Sequence, residues 1–358
     1  EGEVASLTAG GLTVNAFHVT GLDIATIEAM VPLATRLGLE LVTGDDWLLL
    51  AGSRSRLGAF ARPWLQPEPV RDLAYAVGTA MPGEPAAAWR HREGTIALDA
   101  PVIVGVINVT PDSFSEPTRT PETTAAVQRA ALLLEGGGES TRPGAVPLDS
   151  DVEQARVVPA IAAVRAAHPG VPISVDTVHA ATARAALGAG AVIINDVSAG
   201  RHDPDLLQVA AEFGAAVVLS HSRGAMGALT LPDVGEFGDD VVGAVSAELQ
   251  ASRQTAVGRG IAPESIVLDP GFGFGKSAAQ NWQLLAGLDA VAGLGSPVLV
   301  GVSRKRFLGE ATGRSVEDRD RATAAACALA WANGARLFRV HDPAAVRDAL
   351  AVARAVTP

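Results

Sequence analysis

From Pro101 onward, short runs of β-branched residues alternate with longer Ala- and Leu-rich stretches, and this alternation restricts the chain to very few folds. Strands buried on both faces read as continuous Val/Ile/Leu runs, and a helix between successive runs is what a parallel crossover requires. The pattern predicts strands at 102–107, 171–175, 191–196, 215–220, 265–269, 297–301 and 335–340. Helices are expected at 122–134, 151–167, 180–187, 204–213, 237–257, 280–291, 319–332 and 343–355. The expected fold class is α/β: a (β/α)₈ barrel over residues 89–358, behind a small α+β domain at 1–88.

The eighth strand belongs second in order, yet only Glu135-Gly136-Gly137-Gly138 separates the preceding helix from the polar run beginning at Glu139. At about 3.3 Å per residue, four residues are short for a barrel strand with its connection. The expectation is that a segment is missing there, the alternative being a barrel broken at its second strand.

Composition narrows the function. Hydrophobic residues make up 48% and aromatics only 4%, so Ala, Val and Leu carry the packing. With 28 Lys and Arg against 39 Asp and Glu, the net charge of −11 leaves no broad basic face for nucleic acid or an anionic membrane. An anionic substrate then requires local convergence of a few cations. The single Cys327 lies in an Ala-rich run and reads as a small core residue rather than a nucleophile. No basic-then-apolar leader and no apolar run of about 18 residues stands out, and a cytoplasmic protein is expected.

The first hundred residues differ in texture. Residues 23–37 read as an amphipathic helix interrupted at Pro32 and stopped by Gly38; 39–42 and 47–51 flank Gly44-Asp45-Asp46 as a hairpin. Residues 54–64 and 70–81 look helical, 82–85 reads as a linker, and a strand at 95–98 leads into the barrel. No catalytic motif stands out there, and a packing or oligomerisation module is the expectation.

Barrel enzymes carry their chemistry at the C-terminal ends of strands. Polar residues fall at those places here: Asn108, Asp176, Asn195-Asp196, His221, Asp269, Ser303-Arg304-Lys305, Arg339 and His341. Any one of them could be a helix cap or turn residue. A whole ring of them is better explained by a site. The run Asp269-Pro270-Gly271-Phe272-Gly273-Phe274-Gly275-Lys276-Ser277 ends like a phosphate loop but has Pro270 where that loop needs Gly; as a dinucleotide fingerprint it has Lys276 where the third Gly belongs.

Several segments resemble the dihydropteroate synthase family: Asn108-Val109-Thr110-Pro111-Asp112-Ser113-Phe114-Ser115, Gly138-Glu139-Ser140-Thr141-Arg142-Pro143-Gly144 and the Asp269–Lys276 run. Ser174-Val175-Asp176-Thr177, Ile194-Asn195-Asp196, Gly301-Val302-Ser303-Arg304-Lys305 and Arg339-Val340-His341-Asp342 resemble it too, all in family order over residues 95–358. The resemblance implies a transferase that joins a pterin pyrophosphate to p-aminobenzoate. It implies that Asp176, Asn195, Asp269, Lys305 and Arg339 hold the pterin. Asn108, Arg142, Lys305, Arg339 and His341 would serve catalysis, with Mg²⁺ at Asn108. Thr141, Pro143, Phe274, Ser303 and Arg304 would hold p-aminobenzoate, a carboxylate meeting the start of a helix beginning at Arg304. A homodimer is also implied.

Two departures stand against the family pattern. Glu116-Pro117 follows Ser115 where Asp-Gly-Gly is usual, and the strand 2 aspartate is missing. Rival readings are a pterin-binding methyltransferase, for which the cations Arg142, Lys305 and Arg339 have no use, and a catalytically silent paralogue.

Overall fold

The computed structural model describes residues 4–9, 12–52, 54–61, 66–80, 88–108, 135–137, 149–223, 237–238 and 240–356. Four strands come first: β1 (Val4–Ala9), β2 (Leu12–Thr20), β3 (Glu40–Thr43) and β4 (Trp47–Ala51) form an antiparallel sheet in the order β1-β2-β4-β3. Sequence reading foresaw the β3–β4 hairpin and missed β1 and β2. The sheet is packed by α1 (Ile24–Leu37), α2 (Arg54–Phe60) and α3 (Arg71–Ala80). Helix α1 is not interrupted at Pro32, which lies on its exposed face. Asp23 caps the helix start by accepting from the Thr26 N–H at 2.7 Å, and Gly38 closes the other end at φ 66°. Phe17, Met30, Leu48, Leu50, Phe60 and Val77 share a buried cluster of their own.

Next comes a hairpin, β5 (Ala88–His91) and β6 (Gly94–Ala97), and then the barrel. Its strands are β7 (Val102–Gly105) continued by β8 (Ile107–Asn108), then β9 (Glu135–Gly137), β10 (Ser174–Asp176), β11 (Ile193–Asp196), β12 (Ala216–Ser220), β13 (Ile266–Asp269), β14 (Leu299–Val300) and β15 (Leu337–Val340). Strands β8 to β13 pair in parallel sequence, β14 pairs β15, and β15 pairs β7. A parallel bridge between Leu268 and Val298 closes the ring. Around it lie α4 (Ser150–Ala167), α5 (Ala180–Ala189), α6 (Asp205–Phe213), α7 (Val241–Gly258), α8 (Ala278–Ala286), α9 (Leu288–Ala292), α10 (Arg306–Thr312), α11 (Asp320–Ala332) and α12 (Pro343–Val356). The helix expected at 280–291 is thus two, α8 and α9, separated by Gly287, and that expected at 122–134 lies outside the described residues.

The second barrel strand sets aside the alternative of a barrel broken there, while the stretches on either side of it, 109–134 and 138–148, lie outside the described residues. Glu135–Gly137 pairs with β8 on one side and β10 on the other.

Alternation along the strands sorts two cores. Ile193, Ala216, Val218, Val267, Leu299 and Leu337 fill the barrel interior with Trp89 and Leu98, while Val175, Ile194, Val217, Leu219, Leu268 and Phe338 pack against the helices. Trp89 of the hairpin is buried under the strands and donates its indole N–H to the Ser265 carbonyl at 3.0 Å. It plugs the N-terminal end. Because the period is two, the residue two places beyond each interior apolar side chain meets the opposite, C-terminal mouth. Those residues are Asn195, Ser220, Asp269, Gly301 and Arg339, and Asp176 joins them from β10.

Candidate active site at the barrel mouth

Strand register places Asn108, Gly137, Asp176 and Asn195 in one row across four neighbouring strands. Gly137 brings no side chain to that row. Across the mouth, Arg339 reaches toward two carboxylates, with Nη2 at 3.5 Å from Asp269 Oδ2 and Nη1 at 3.9 Å from Asp176 Oδ2. Gly301 makes room for it, since a Cβ there would stand 3.0 Å from Nη2. Asp269 is almost fully buried and is held from behind, its Oδ1 accepting the Gly271 N–H at 2.8 Å.

Asn195 is completely buried, yet neither atom of its amide has a hydrogen-bond partner of normal geometry, nor does Oδ1 of Asp176. Leaving such groups unmade costs about 1–3 kcal/mol each. Burial raises the Asp176 carboxyl above the usual range, with Arg339 and the nearby Asn195 pulling it back and Asp269 adding repulsion. The neighbouring Asp196 does a different job. It binds the Ser198 N–H and hydroxyl, both at 2.7 Å, and the Gly200 N–H, shaping the turn after β11.

Lys305 precedes α10 and sets its ammonium 4.5 Å above the Phe274 ring. Burial pushes it down to about 8, Arg339 adding repulsion and Asp269 opposing. Phe274 in turn packs with Val178 and Val197 from the loops after β10 and β11.

The expectation for Arg304 meets a different arrangement. The helix after β14 begins at Arg306, with Lys305 as its cap, so Arg304 is not its first residue. Arg304 instead takes a left-handed φ of 56° and makes a two-pronged pair with Asp320, both N···O distances 2.9 Å. That pairing commits its guanidinium to α11. Ser303 is joined to His341: its Oγ accepts the His341 N–H at 3.2 Å and lies 3.0 Å from Nδ1. Thr141, Pro143 and Arg142 lie outside the described residues, and of Asn108 only the backbone is described.

Among the described residues, no three His, Cys, Asp or Glu side chains gather to hold a metal ion. Both carboxylates of the mouth face Arg339. The side chain of Asn108, at which the metal was expected, lies outside the described residues.

A buried cluster behind the mouth went unforeseen. Lys276 is 2% exposed, with Nζ 3.1 Å from His221 Nδ1, and His221 Nε2 lies 3.0 Å from Glu248 on α7. A lysine closing a glycine-rich loop was visible in sequence; its inward turn was not.

A cavity of about 510 Å³ lies at the other end of the barrel, lined by Arg90, Arg92, Gly214 and Ser265 among others. None of the residues singled out from sequence lines it. Arg90 pairs with Glu264, and Arg92 donates to the Leu187 carbonyl. Barrel chemistry belongs at the opposite face.

Residues 104–341 match the pterin binding enzyme family. The dihydropteroate synthase of Mycobacterium leprae is 44% identical over 267 residues, covering 71% of this chain and 93% of the relative. The chain belongs to the dihydropteroate synthase family. Two solved structures from Xanthomonas albilineans agree. The dihydropteroate synthase with 4-aminobenzoic acid is 42% identical, with a TM-score of 0.68 over 75% of this chain and 98% of that one. The same enzyme in complex with 7,8-dihydropteroate is 41% identical, with a TM-score of 0.64 over 73% and 95%.

Proposed function

We propose that this protein is a dihydropteroate synthase, condensing 6-hydroxymethyl-7,8-dihydropterin pyrophosphate with p-aminobenzoate to give 7,8-dihydropteroate and pyrophosphate. The observation that carries the reading is the unsatisfied polar edge formed by Asp176 and Asn195 beside Arg339. A pterin presents alternating donors and acceptors along its amide edge, which is what a carboxylate and an amide can pair with. In this reading Asp176, Asn195 and Asp269 hold that edge, Lys305 donates from the end of β14, and Arg339 lies along the ring.

Charge grows on the departing diphosphate as its C–O bond breaks with both electrons. Cationic donors fixed there beforehand lower the barrier. Arg339 and His341 are assigned that task, with Asn108 and Arg142 joining from outside the described side chains. Mg²⁺, when bound, would neutralise diphosphate oxygens. The aniline nitrogen of p-aminobenzoate then forms the C–N bond to the pterin methylene and releases a proton. No protein nucleophile is needed. Phe274, with Thr141 and Pro143, walls the benzoate, and Ser303 faces its carboxylate. Sulfonamides, which imitate p-aminobenzoate, should compete there.

We assign residues 1–88 as a separate packing or oligomerisation module, supported by their own buried cluster and by the approach of β2 to α7 and α9. A homodimer working in the cytoplasm completes the proposal. Among the described residues no helix is long and apolar enough to cross a membrane.

The test is to mix both substrates with Mg²⁺ and follow pyrophosphate and dihydropteroate. Equal release of the two is expected. Pterin binding without turnover would turn the reading toward a silent paralogue, and methyl transfer without pyrophosphate toward a methyltransferase.

A further inference from the structure

The loop after β13 is folded around an ammonium. Lys276 Nζ donates to the Gly271 carbonyl at 2.8 Å and the Phe274 carbonyl at 3.2 Å, and meets His221 Nδ1 at 3.1 Å. Three acceptors thus surround Nζ, matching the three N–H bonds of an ammonium, while burial brings Lys276 down to about 7. The acceptor role of Nδ1 requires a neutral ring with its proton on Nε2, directed at Glu248 Oε2 3.0 Å away. Burial holds the His221 ring in that neutral form, down to about 4. Glu248 is anchored by Arg223, whose guanidinium also lies 4.1 Å over Phe237.

The same loop is held from its other side. Asn281 accepts the Gly273 N–H at 2.7 Å and donates to the Lys276 and Ser277 carbonyls. The strand beneath is stitched as well, since the His221 N–H donates to the Asp269 carbonyl at 2.8 Å. The network meets the pterin pocket through backbone, the Gly271 N–H reaching Asp269 Oδ1 and the His221 N–H its carbonyl, while the Lys276, His221 and Glu248 side chains bond neither Asp176 nor Asn195. What it fixes is the path of the backbone through Gly271 and Phe274.

We propose that Lys276, acting with His221, is a positioning residue that holds the Phe274 wall in place for p-aminobenzoate and thereby sets affinity for the second substrate rather than for the pterin. The inference rests on the reading of Phe274 as that wall.

The experiment compares Lys276→Met, which keeps the aliphatic volume and removes the donors, with Phe274→Ala in the full chain. Turnover is followed by pyrophosphate release against p-aminobenzoate concentration, and pterin binding by calorimetry. Lys276→Met is expected to raise the KM for p-aminobenzoate about 10-fold or more, with kcat and pterin affinity within about 3-fold of the parent, the cost of unpaired buried acceptors appearing as binding. An unchanged KM, or equal loss of pterin binding and KM, overturns the proposal. Phe274→Ala must raise the same KM; if it does not, the substrate reading of the wall falls, and the proposal with it. Should Lys276→Met fail to fold, His221→Leu and His221→Asn decide. The asparagine can replace the Nδ1 acceptor and should restore much of the KM lost in the leucine variant, and equal KM values in the two overturn the proposal.

Discussion

The guanidinium of Arg339 stands 3.5 Å from the carboxylate of Asp269, close enough for attraction but too far for a short hydrogen bond to lock it. Asp176 lies on its other flank at 3.9 Å. The cation therefore separates two buried or half-buried acids, and its planar fork is oriented by both. Lysine would keep the charge and lose the plane. Arg339→Lys is expected to lower kcat/KM about 100-fold, as loss of a preorganised donor does, while stability changes by no more than about 1 kcal/mol. Steady-state kinetics and a denaturant titration read the two separately; near-parental turnover would mean that charge alone serves.

Asp176 is held in a state that folding does not favour. Its carboxyl is raised by burial, so at neutral pH the unfolded chain accommodates the charge better. Asp176→Ala should consequently leave the melting temperature unchanged or higher, while pterin binding falls more than about 100-fold by calorimetry for loss of a charged hydrogen-bonding partner. Retained pterin affinity would sink the assignment of the pocket edge.

Lys305 titrates within reach of ordinary buffers. Burial brings it to about 8, and only the protonated form donates all its hydrogens. Pterin affinity is expected to decline as pH rises through about 8, and Lys305→Arg should flatten that limb. Unfolding cannot account for the loss. A lysine depressed in the folded state binds fewer protons there than in the unfolded chain between about 8 and its ordinary value, so its contribution to stability rises with pH across that window. Binding isotherms from pH 7 to 10 with a parallel melt series check both directions.

Gly271 sits at φ 68°, and a Cβ there would fall 1.8 Å from the His221 carbonyl oxygen, which is backbone and cannot swing aside. Gly271→Ala must push apart the β12 exit and the loop carrying Phe274. The expected result is a folded barrel with the KM for p-aminobenzoate raised at least about 10-fold, a loss of about 1.4 kcal/mol in binding. Circular dichroism confirms the fold; an unaltered KM would show that the two loops are not in register as described.

Much of this was legible in the chain because the barrel repeats one rule. Interior apolar residues at Ile193, Val267 and Leu337 announce Asn195, Asp269 and Arg339 two places on, and that period is visible without coordinates. The second strand was not legible, since Glu135-Gly136-Gly137 has no β-branched residue and is a strand only through pairing with both neighbours. Arg304 misled for the opposite reason. Its place after Ser303 suggested the mouth, but its left-handed backbone and its pair with Asp320 depend on α11, many residues later. Lys276 and His221 meet across 55 positions, a contact no local pattern announces.

The hairpin that carries Trp89, β5 with β6, packs with the barrel and not with the N-terminal cluster. Trp89 is 2% exposed, packs with Val218, Val267 and Leu337 inside the barrel, and is hydrogen-bonded to Ser265. Residues 17–77 pack among themselves and touch the barrel through β2 and α2. Removing residues 1–87 is expected to leave turnover within a few-fold, because neither the mouth nor its floor is disturbed. Trp89→Ala in the full chain should instead cost about 3–5 kcal/mol, the usual penalty for emptying a buried tryptophan site. A folded truncation with no activity would show that the N-terminal sheet takes part in catalysis. A Trp89→Ala variant of parental stability would show that the barrel floor closes without the hairpin.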